Sequence, residues 1–387
     1  MLGRKCLKNA RRGAKAQSHQ RKVVASPHER VSKIMNEQPG FIILFGSGEA
    51  SSSGRTVWEW LLKRMAARPQ IAILETPAGF QPNSAQVAGR VGEFLSHRLQ
   101  NYDPQVAIVP ARQQGTPFSP DNPEILEAML TADLFFLGPG SPSYAARQLE
   151  GSLAWDILTV RHQMGAHVVL ASSAVVAAGS FALPVYEIYK VGDDLHWHSG
   201  LDFLAAYGLE PTFIPHWNNN EGGEELDTRY CFMGQARFDR LRAMLPATAT
   251  IVGIDEHTAL MMDIAGGQCW VRGRGNITIL RGQETETFAT GTSFSLEKLG
   301  TCHIPSEYLD IRPEAWQMIR SAQTQTGAGN GVGVPDGVQE LADRRAAARG
   351  RKDWATADQL RDQIDALGWV ISDTAKGAHL EPKDTAD

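Results

Sequence analysis

Short apolar runs alternate with longer amphipathic segments along most of the chain from Phe41 onward. The runs are rich in β-branched and aromatic residues, have Gly, Pro or Ser close behind them, and predict six strands: FIILF from Phe41, IAIL from Ile71, VAIV from Val106, LFFL from Leu134, VVL from Val168 and FIP from Phe213. Between them, apolar residues at helical spacing predict helices over 56–67, 84–99, 123–130 and 153–164. This alternation is typical of a doubly wound parallel sheet with helices on both faces, so we predict an α/β fold.

The pattern changes after Pro246, where the segments ATIVGID, TALMMDI, QCWVRG and NITILRG are short runs separated by Gly-containing turns. We interpret them as antiparallel strands added to one edge of the sheet. Residues 313–324 predict one helix, and the TGAGNGVGVPDG segment that follows predicts a Gly-rich linker. Beyond Val338 the chain is charged, with helical spacing, and its last runs, WVISD and AHL, predict a hairpin around the turn TAKG.

These patterns predict four regions: a basic arm over 1–38, an α/β domain over 39–300, a helix and linker over 301–337, and a small helix and hairpin unit over 338–387. Residues 1–34 hold many Lys and Arg residues against one acid, Glu29, and lack the apolar core of a signal peptide. We expect this arm to be disordered. It is either an arm for nucleic acid or an over-extended start with Met35 as the initiator, and we favour the second interpretation.

Composition is that of an ordinary globular protein, with 42% hydrophobic and 21% charged residues, and the net charge of -5 gives no general attraction to polyphosphate. The 4 cysteines lie far apart without a C-x-x-C pair, which argues against a zinc knuckle or a disulfide scaffold and favours a reducing cytoplasm. The longest apolar stretch, 168–185, is interrupted by Ser, Gly and Pro, so we interpret it as a strand, a turn and a helix. We expect no contact with a membrane.

Three of the predicted strands are followed by segments with candidate chemistry, and ligands gather beyond the carboxyl ends of parallel strands. VVL is followed by ASSAVVAAG, in which small residues flank Ser173 and the next helix would point its amide N–H groups at the serine oxygen. LFFL is followed by GPGSPS, whose glycines let backbone N–H groups approach a substrate carbonyl, and FIP is followed by His216. A serine is a poor nucleophile unless a histidine takes its proton and an acid orients that histidine.

Structural roles are the alternative for each of these residues. Ser172 or Ser173 would serve equally well as a helix N-cap, and His216 as a core histidine. In the DEHTAL segment we interpret Glu256 and His257 as structural.

Two further segments suggest ligands only weakly. The cluster of Asp193, Asp194, His196 and His198 has metal-ligating residue types, but a solvated loop is the favoured interpretation. The GSGE segment at Gly46 lacks both G-x-G-x-x-G and the Walker lysine, so we do not expect nucleotide binding. The sequence therefore predicts no metal and no other cofactor.

The region from Phe41 to about Gly300 resembles the cyanophycinase and alpha-aspartyl dipeptidase family of serine peptidases, which has the class I glutamine amidotransferase fold. The similar motifs occur in the family's order: GSGE, GPGSPSYAARQL, SSAVVAAG in place of G-x-S-A-G-A, PHW with RYCFMGQARFDRL, and GIDEHTAL. The resemblance implies that fold and the cleavage of a peptide or amide substrate through an acyl-enzyme.

Carried over to this chain, the resemblance implies a catalytic triad in which Ser173 is the nucleophile, His216 the general base and Glu187 the acid. Asp193 and Asp194 are further candidates for the acid. It also implies an oxyanion hole formed by backbone N–H groups of Ala174 and of Gly140 or Gly138. Apart from the resemblance, Arg229 and Arg237 are candidates for contact with an acidic substrate side chain, and the substrate itself stays open.

The motifs depart from the family pattern at a few positions. Ala171 stands where the pattern begins with Gly, Val175 stands where it has Gly after S-A, and the GPGSPS turn contains Pro139 and lacks the Asn. A valine so close to the serine would narrow the approach of a peptide. A catalytically inactive binding protein with the same pocket is therefore the alternative to a hydrolase, and a homodimer remains open.

Residues 351–382 resemble the extreme C-terminal subdomain of cysteinyl-tRNA synthetases, in which K-D-W-x-x-A-D-x-L-R-D, a helix and a D-T-x-x-G hairpin recur. In the synthetase this part belongs to the end that meets the tRNA anticodon. The chain has no H-I-G-H or K-M-S-K signature, so the resemblance does not imply aminoacylation. The alternatives are tRNA contact, as in a tRNA-associated factor, and a solvated helix pair that packs on its own domain or on a partner.

Overall fold

The computed structural model describes residues 38–305, 311–329, 336–351, 353–374 and 377–383. Its strands are β1 (Ile42–Phe45), β2 (Gln70–Leu74), β3 (Gln105–Val109), β4 (Leu134–Leu137), β5 (His167–Ala171), β6 (Phe181–Ala182), β7 (His198–Ser199), β8 (Pro211–Ile214), β9 (Thr250–Ile254), β10 (Thr258–Asp263), β11 (Gln268–Gly273), β12 (Asn276–Arg281), β13 (Glu284–Ala289), β14 (Ser293–Ser295), β15 (Trp369–Thr374) and β16 (Gly377–Pro382). Its α-helices are α1 (Ser52–Leu62), α2 (Ser84–Arg98), α3 (Glu127–Leu130), α4 (Pro142–Leu149), α5 (Leu153–Gln163), α6 (Ser173–Ala177), α7 (Gly234–Met244), α8 (Pro313–Gly329), α9 (Asp336–Gly350) and α10 (Trp354–Ala366).

The main sheet has 8 strands in the order β14–β11–β10–β1–β5–β4–β2–β3. The strands from β1 to β3 in this order are parallel to their neighbours, whereas β10, β11 and β14 are antiparallel. The predicted parallel α/β fold is therefore confirmed. The predicted antiparallel additions at one edge are also present, in the strands formed by TALMMDI and QCWVRG.

A second sheet of 4 strands has the order β13–β12–β9–β8, with β8 parallel to β9. The prediction that the Phe213 strand joins the main sheet is wrong, and so is the placement of ATIVGID and NITILRG at the main sheet's edge. The strands of the second sheet are separate from the main sheet because they pack on an apolar core of their own. Ile214 of β8 packs in one cluster with Phe238 and Leu241 of α7 and with Ile251 of β9.

The core of the main sheet lies on the face covered by α1 and α2. Trp58 of α1 and Leu95 of α2 pack against Ile43, Phe136 and Val169 from three strands, and all five side chains are buried. Burying an apolar side chain of this size stabilises the fold by about 1.5–3 kcal/mol. This core therefore holds β1, β4 and β5 in register, and with them the segments that leave their carboxyl ends.

The helices that follow β1 and β4, at the carboxyl ends of the strands, begin with capping serines. The Ser51 side chain accepts a hydrogen bond from the Gly54 N–H, and α1 begins one residue later. Ser141 accepts from the Tyr144 N–H, and Pro142 occupies the first position of α4. These caps satisfy backbone groups that would otherwise lack a partner at the helix start. The turns after β1 and β4 are thus fixed by the helices that follow them.

Helix α8 is longer than predicted, so the start of the predicted Gly-rich linker is helical. Just before α8, Arg312 donates hydrogen bonds from Nε to Asp156 Oδ2 at 2.5 Å and from Nη1 to Asp121 Oδ1 at 3.1 Å. These charge-assisted bonds attach the start of the helix to the α/β region.

The C-terminal unit consists of α9, α10 and the antiparallel hairpin of β15 and β16. It contains its own small core, formed by Val338, Ala342, Ile364, Trp369 and Ile371. The helix and hairpin predicted from the sequence are present. None of the helices in the described part of the chain is long and apolar enough to cross a membrane.

Residues 1–37 of the predicted basic arm and residues 330–335 of the predicted linker lie outside the described residues. The predicted domain boundaries stay predictions.

Candidate active site

Ser172 alone forms the turn between β5 and α6. Its backbone has φ 53° and ψ -114°, a combination that is sparsely populated for residues other than glycine and costs about 1–3 kcal/mol. The residues on either side, Ala171 and Ser173, are small and buried. A strained residue between a parallel strand and a helix is the geometry that presents a nucleophile at the edge of an α/β sheet.

The Ser172 hydroxyl contacts an imidazole instead of capping the helix. Although Ser172 occupies the N-cap position of α6, its side chain makes no capping hydrogen bond. Its Oγ lies 2.9 Å from Nε2 of His216. The helix-cap interpretation of this serine is therefore wrong, because the hydroxyl contacts a ring nitrogen of His216.

Ser173, the predicted nucleophile, has a different environment. Its side chain is 4% exposed, and its Oγ donates a hydrogen bond to the Gly138 carbonyl at 3.1 Å. As the first residue of α6, it faces the turn after β4 and not the segment that carries His216. The structure thus corrects the predicted contact by one position: the serine brought to His216 is Ser172.

His216 lies just after the carboxyl end of β8. The Cys231 N–H donates to the His216 carbonyl at 3.2 Å, and the Trp217 N–H donates to the Ile254 carbonyl of β9 at 3.1 Å. A Cβ on Gly253 would lie 2.3 Å from the Trp217 ring, so glycine at this position lets the indole lie against β9. The backbone on both sides of the histidine is therefore held in place.

Glu256 is the acid beside His216. Its Oε1 lies 3.1 Å from His216 Nδ1 and accepts a second hydrogen bond, at 2.9 Å, from Nδ2 of the buried Asn219. The hydrogen bond with His216 is the largest influence on the carboxyl and lowers its pKa, against the opposing effect of burial. Glu256 is therefore ionised at neutral pH and suited to orient an imidazole.

The turn that carries Glu256 links the two sheets. Asp255 Oδ2 accepts hydrogen bonds from the Asn276 N–H at 2.8 Å and from Asn276 Nδ2 at 3.1 Å. The Thr258 hydroxyl donates to the Glu256 carbonyl at 3.1 Å. The structural interpretation of Glu256 in the DEHTAL segment thus overlooked its contact with His216. No pattern in the sequence indicates this contact, because it depends on the pairing of β9, which precedes Glu256, with β8, which precedes His216.

Glu187, the predicted acid, lies elsewhere. It begins a short π-helix over Glu187–Val191 and accepts a hydrogen bond from the Ser143 hydroxyl. Its second carboxylate oxygen is buried and has no partner among the described residues. In the part of the chain that the structure describes, Glu187 makes no hydrogen bond with His216.

The other acidic candidates, Asp193 and Asp194, are exposed. Near them the rings of His196 and His198 lie edge to face, with centroids 4.9 Å apart. Among the described residues, no group of three or more His, Cys, Asp or Glu residues is arranged to hold a metal ion.

The predicted oxyanion donors lie in α6, directly after the Ser172 turn, and in the turn after β4, which contacts Ser173. Because α6 begins at Ser173, the amide N–H groups of Ser173 and Ala174 have no acceptor within the helix, whereas those of Val175 and Val176 donate to the Ser172 carbonyl. Gly138 is linked to Ser173 by the hydrogen bond described above. A Cβ on Gly140 would lie 1.8 Å from the Pro77 carbonyl oxygen, so glycine is needed where the turn after β4 packs against the segment that follows β2.

Arg229 and Arg237, the predicted partners of an acidic substrate, bind groups of this chain. Arg229 donates from Nε to Asp227 Oδ1 at 2.9 Å and from Nη2 to Oδ2 at 2.8 Å, and these bonds hold the pKa of Asp227 well below its ordinary value. Arg237 donates to the carbonyls of Met233 at 2.7 Å and Phe232 at 2.9 Å. Both guanidinium groups therefore have acceptors within the protein.

The α/β region has the fold of a solved peptidase. The crystal structure of a peptidase from an acI-B1 Actinobacterium superposes with a TM-score of 0.54 at 20% sequence identity, and the match covers 67% of this chain and 98% of that chain. A structure of a putative Peptidase E protein from Listeria monocytogenes EGD-e gives a TM-score of 0.40 at 13% identity, over 65% of this chain and 100% of that chain. The first match confirms the fold that the sequence resemblance implied.

The C-terminal segment matches a different family. A family model described as the cysteinyl-tRNA ligase anticodon binding domain matches residues 332–380. Cysteine–tRNA ligase of Lactobacillus helveticus is 38% identical over 63 residues, which are 16% of this chain and 13% of the ligase. That of Cutibacterium acnes is 55% identical over 47 residues, or 12% of this chain and 10% of the ligase. The chain thus spans only a small part of the ligases that it matches, and the resemblance noted for the C-terminal segment is confirmed.

Proposed function

We propose that this protein is a serine-type hydrolase of amide or peptide bonds, with Ser172 as nucleophile, His216 as general base and Glu256 as the acid that orients the histidine. The observation that supports the proposal is the continuous contact from the Ser172 hydroxyl through both ring nitrogens of His216 to Glu256. Both distances are within the range for hydrogen-bonded proton transfer. The strained Ser172 backbone is the second support.

In the acylation step, the Nδ1–H of His216 donates a hydrogen bond to Glu256, so that the Nε2 lone pair faces Ser172. Nε2 takes the hydroxyl proton while Oγ forms a bond to the substrate carbonyl carbon. The imidazolium that results is stabilised by the Glu256 carboxylate, which its lowered pKa keeps ionised.

The tetrahedral oxyanion needs donors that are fixed before the reaction. With Ser172 in the turn, the N–H next to the nucleophile is that of Ser173, and Gly138 or Gly140 would supply a second donor. One such donor increases the rate by a factor of about 10²–10³. His216 then gives its proton to the leaving nitrogen as the C–N bond breaks. Water attacks the acyl ester with His216 again as base, which releases the acid and restores Ser172.

The shift from Ser173 to Ser172 also removes an objection to catalysis. The inactive-protein alternative was based on Ala171 and on Val175, two positions after the predicted nucleophile, and from Ser172 the second residue is the small Ala174. Val175 is fully buried, so its side chain does not occupy the approach to the hydroxyl. These positions favour an active enzyme over a silent binding protein.

The test is labelling of the full chain with a fluorophosphonate probe, which reacts with activated serines. We expect wild type and Ser173→Ala to be labelled and Ser172→Ala not to be. Equal labelling of the two variants would contradict the proposal. Melting curves of both variants check that they are folded.

A second candidate function is tRNA contact through the C-terminal unit. It is favoured by the match of residues 332–380 to an anticodon-binding family model. Arg344 and Arg351 are exposed there and available for phosphate contacts. We expect salt-dependent binding of tRNA that is lost when residues 336–387 are deleted. Equal binding by the shortened chain in a gel-shift titration would contradict this assignment.

A further inference from the structure

The loop Gly46–Glu49 runs between the two turns that carry Ser172 and Glu256. On one side, Phe45 pairs with Ala171, and the Ser172 N–H donates to the Phe45 carbonyl at 3.2 Å. On the other side, the Gly46 N–H donates to the Thr258 carbonyl at 2.9 Å. The loop is therefore part of the wall of the candidate active site, although no step of the proposed mechanism uses it.

Close packing against His257 fixes this loop. The His257 N–H donates to the Ser47 hydroxyl at 3.0 Å. Gly48 has φ +76°, and a Cβ there would lie 2.4 Å from His257 Nδ1. Only glycine combines that backbone conformation with so close a neighbour. The course of the chain toward Glu49 is thus determined by contacts with the turn that carries the catalytic acid.

Glu49 itself is held by α1. Its carbonyl accepts a hydrogen bond from the Trp58 indole at 2.9 Å, and a Cβ on Gly54 would lie 2.5 Å from the same carbonyl oxygen. Trp58 is part of the main core, so this anchor is rigid. The Glu49 side chain is therefore presented from a fixed backbone position.

The Glu49 carboxylate lacks a cation in the described protein. Burial raises its pKa, and its own backbone N–H, His216 and His257 oppose that effect. Its backbone follows Gly48, which packs against His257, in the loop between the Ser172 and Glu256 turns, so the Glu49 side chain begins beside the candidate active site. No side chain among the described residues donates a hydrogen bond to it, whereas Arg229 and Arg237 are bound elsewhere. A carboxylate that is partly removed from water is costly unless a cation or donor accompanies it.

We propose that Glu49 binds a cationic group of the substrate and so determines which amides reach Ser172. The cation is either the free α-amino group of the residue that becomes the acyl part or a basic side chain of that residue. Both would form a charge-assisted hydrogen bond with a carboxylate that is already in place. This inference rests on the proposed function, because it takes the Ser172 turn as the place where the substrate binds.

The experiment measures binding in the Ser172→Ala background, so that it needs no turnover. Titration calorimetry uses alanyl-alanine amide, N-acetyl-alanyl-alanine amide and N-acetyl-lysyl-alanine amide. We expect at least one cationic peptide to bind about tenfold more tightly than the neutral one. If the free-amine peptide binds more tightly, the α-amino group is the cation that Glu49 binds. If the lysyl peptide binds more tightly, the cation is the basic side chain.

The second variant is Glu49→Gln in the same background, with Glu93→Gln on the exposed face of α2 as the matched control. We expect Glu49→Gln to abolish the preference and Glu93→Gln to keep it. Equal affinity for charged and neutral peptides, no measurable binding of a cationic peptide, or a preference that survives Glu49→Gln would overturn the inference.

Labelling of Ser172 by a fluorophosphonate separates this inference from the proposed function. In a chain that retains Ser172, we expect Glu49→Gln to be labelled as fast as wild type at a pH high enough for the imidazole to be neutral. A labelling rate that stays low at that pH would mean that Glu49 acts through His216, which overturns its assignment to the substrate. Absence of labelling in wild type contradicts the hydrolase proposal instead, and the calorimetric comparison still decides on Glu49.

Discussion

Two groups of polar side chains lie near the Ser172 turn, and each contains a serine and a glutamate. In the triad group, formed by Ser172, His216 and Glu256, an imidazole stands between hydroxyl and carboxylate. In the Glu187 group, formed by Ser143 and Glu187, the hydroxyl donates directly to the carboxylate. Only the first arrangement can take a proton from the serine and return it, because a carboxylate that already accepts a hydrogen bond has little tendency to remove that proton.

The backbone conformation also differs between the triad group and the Glu187 group. Ser172 and His216 both have positive φ values, 53° and 52°. Ser143 lies within α4, and Glu187 starts a helical turn. Strain is maintained where two side chains must face each other, whereas the Glu187 group joins helical segments in relaxed geometry. These differences support the proposal that the triad group is the functional one and that the Glu187 group has a structural role.

The largest effect is expected for His216→Ala. Without a base, the rate of fluorophosphonate labelling should fall roughly 10⁴-fold or more. His97→Ala on the exposed end of α2 is the matched control and should leave the rate unchanged. Comparable rates for the two variants would show that the hydroxyl is not activated by this imidazole.

A smaller effect is expected for Glu256→Gln, compared with Glu187→Gln. Glutamine at 256 keeps the shape but not the charge that stabilises the imidazolium, so labelling should slow about 10²–10⁴-fold. Glutamine at 187 should change the rate less than about threefold. The reverse order in a stopped-flow labelling assay would assign the acid to Glu187 and reject the distinction between the groups.

The pH dependence of stability sharpens the same comparison. The pKa of Glu256 is lowered from its ordinary value of 4.5, mainly by the hydrogen bond with His216. Its ionised form therefore stabilises the fold at neutral pH, and this contribution is lost as the pH falls from 4.5 through the lowered pKa. Urea titrations of wild type and Glu256→Gln should show a gap in unfolding free energy at neutral pH that closes in acid. A gap that does not depend on pH would contradict the ionised state.

The smallest effect on activity is expected for Ser143→Ala. The substitution removes the donor to Glu187 and leaves that carboxylate less satisfied, which should destabilise the fold by about 1–3 kcal/mol. Labelling of Ser172 should be unaffected, and Ser96→Ala on α2 should change neither property. Loss of labelling in a folded Ser143→Ala protein would show that the activity of Ser172 depends on the Glu187 group, and would contradict the distinction between the two groups.

The main sheet could be predicted because its strands are short, fully buried and separated by clear helices. The placement of His216 at a strand end followed from the same alternation. The exact serine could not be predicted, since A-S-S-A offers two hydroxyls and only the backbone angles of Ser172 decide which one faces the imidazole. A difference of one residue in such a turn changes the direction of the side chain completely.

Glu256 was missed for a different reason. Its nearness to His216 depends on the parallel pairing of β8 with β9, which are far apart in the chain and form a second sheet. Apolar runs predict that strands exist but do not specify their neighbours. The strand that carries His216 was therefore placed in the main sheet, and the acid was sought in the segment between the serine and the histidine.

The most direct test of the triad group is a crystal structure of the protein after reaction with a fluorophosphonate. The account predicts a covalent phosphorus bond to Ser172 Oγ, with His216 Nε2 beside it and one phosphonyl oxygen within hydrogen-bond distance of the Ser173 N–H. An adduct on Ser173, or an unmodified Ser172 that still contacts His216 in a protein that carries the label elsewhere, would contradict it.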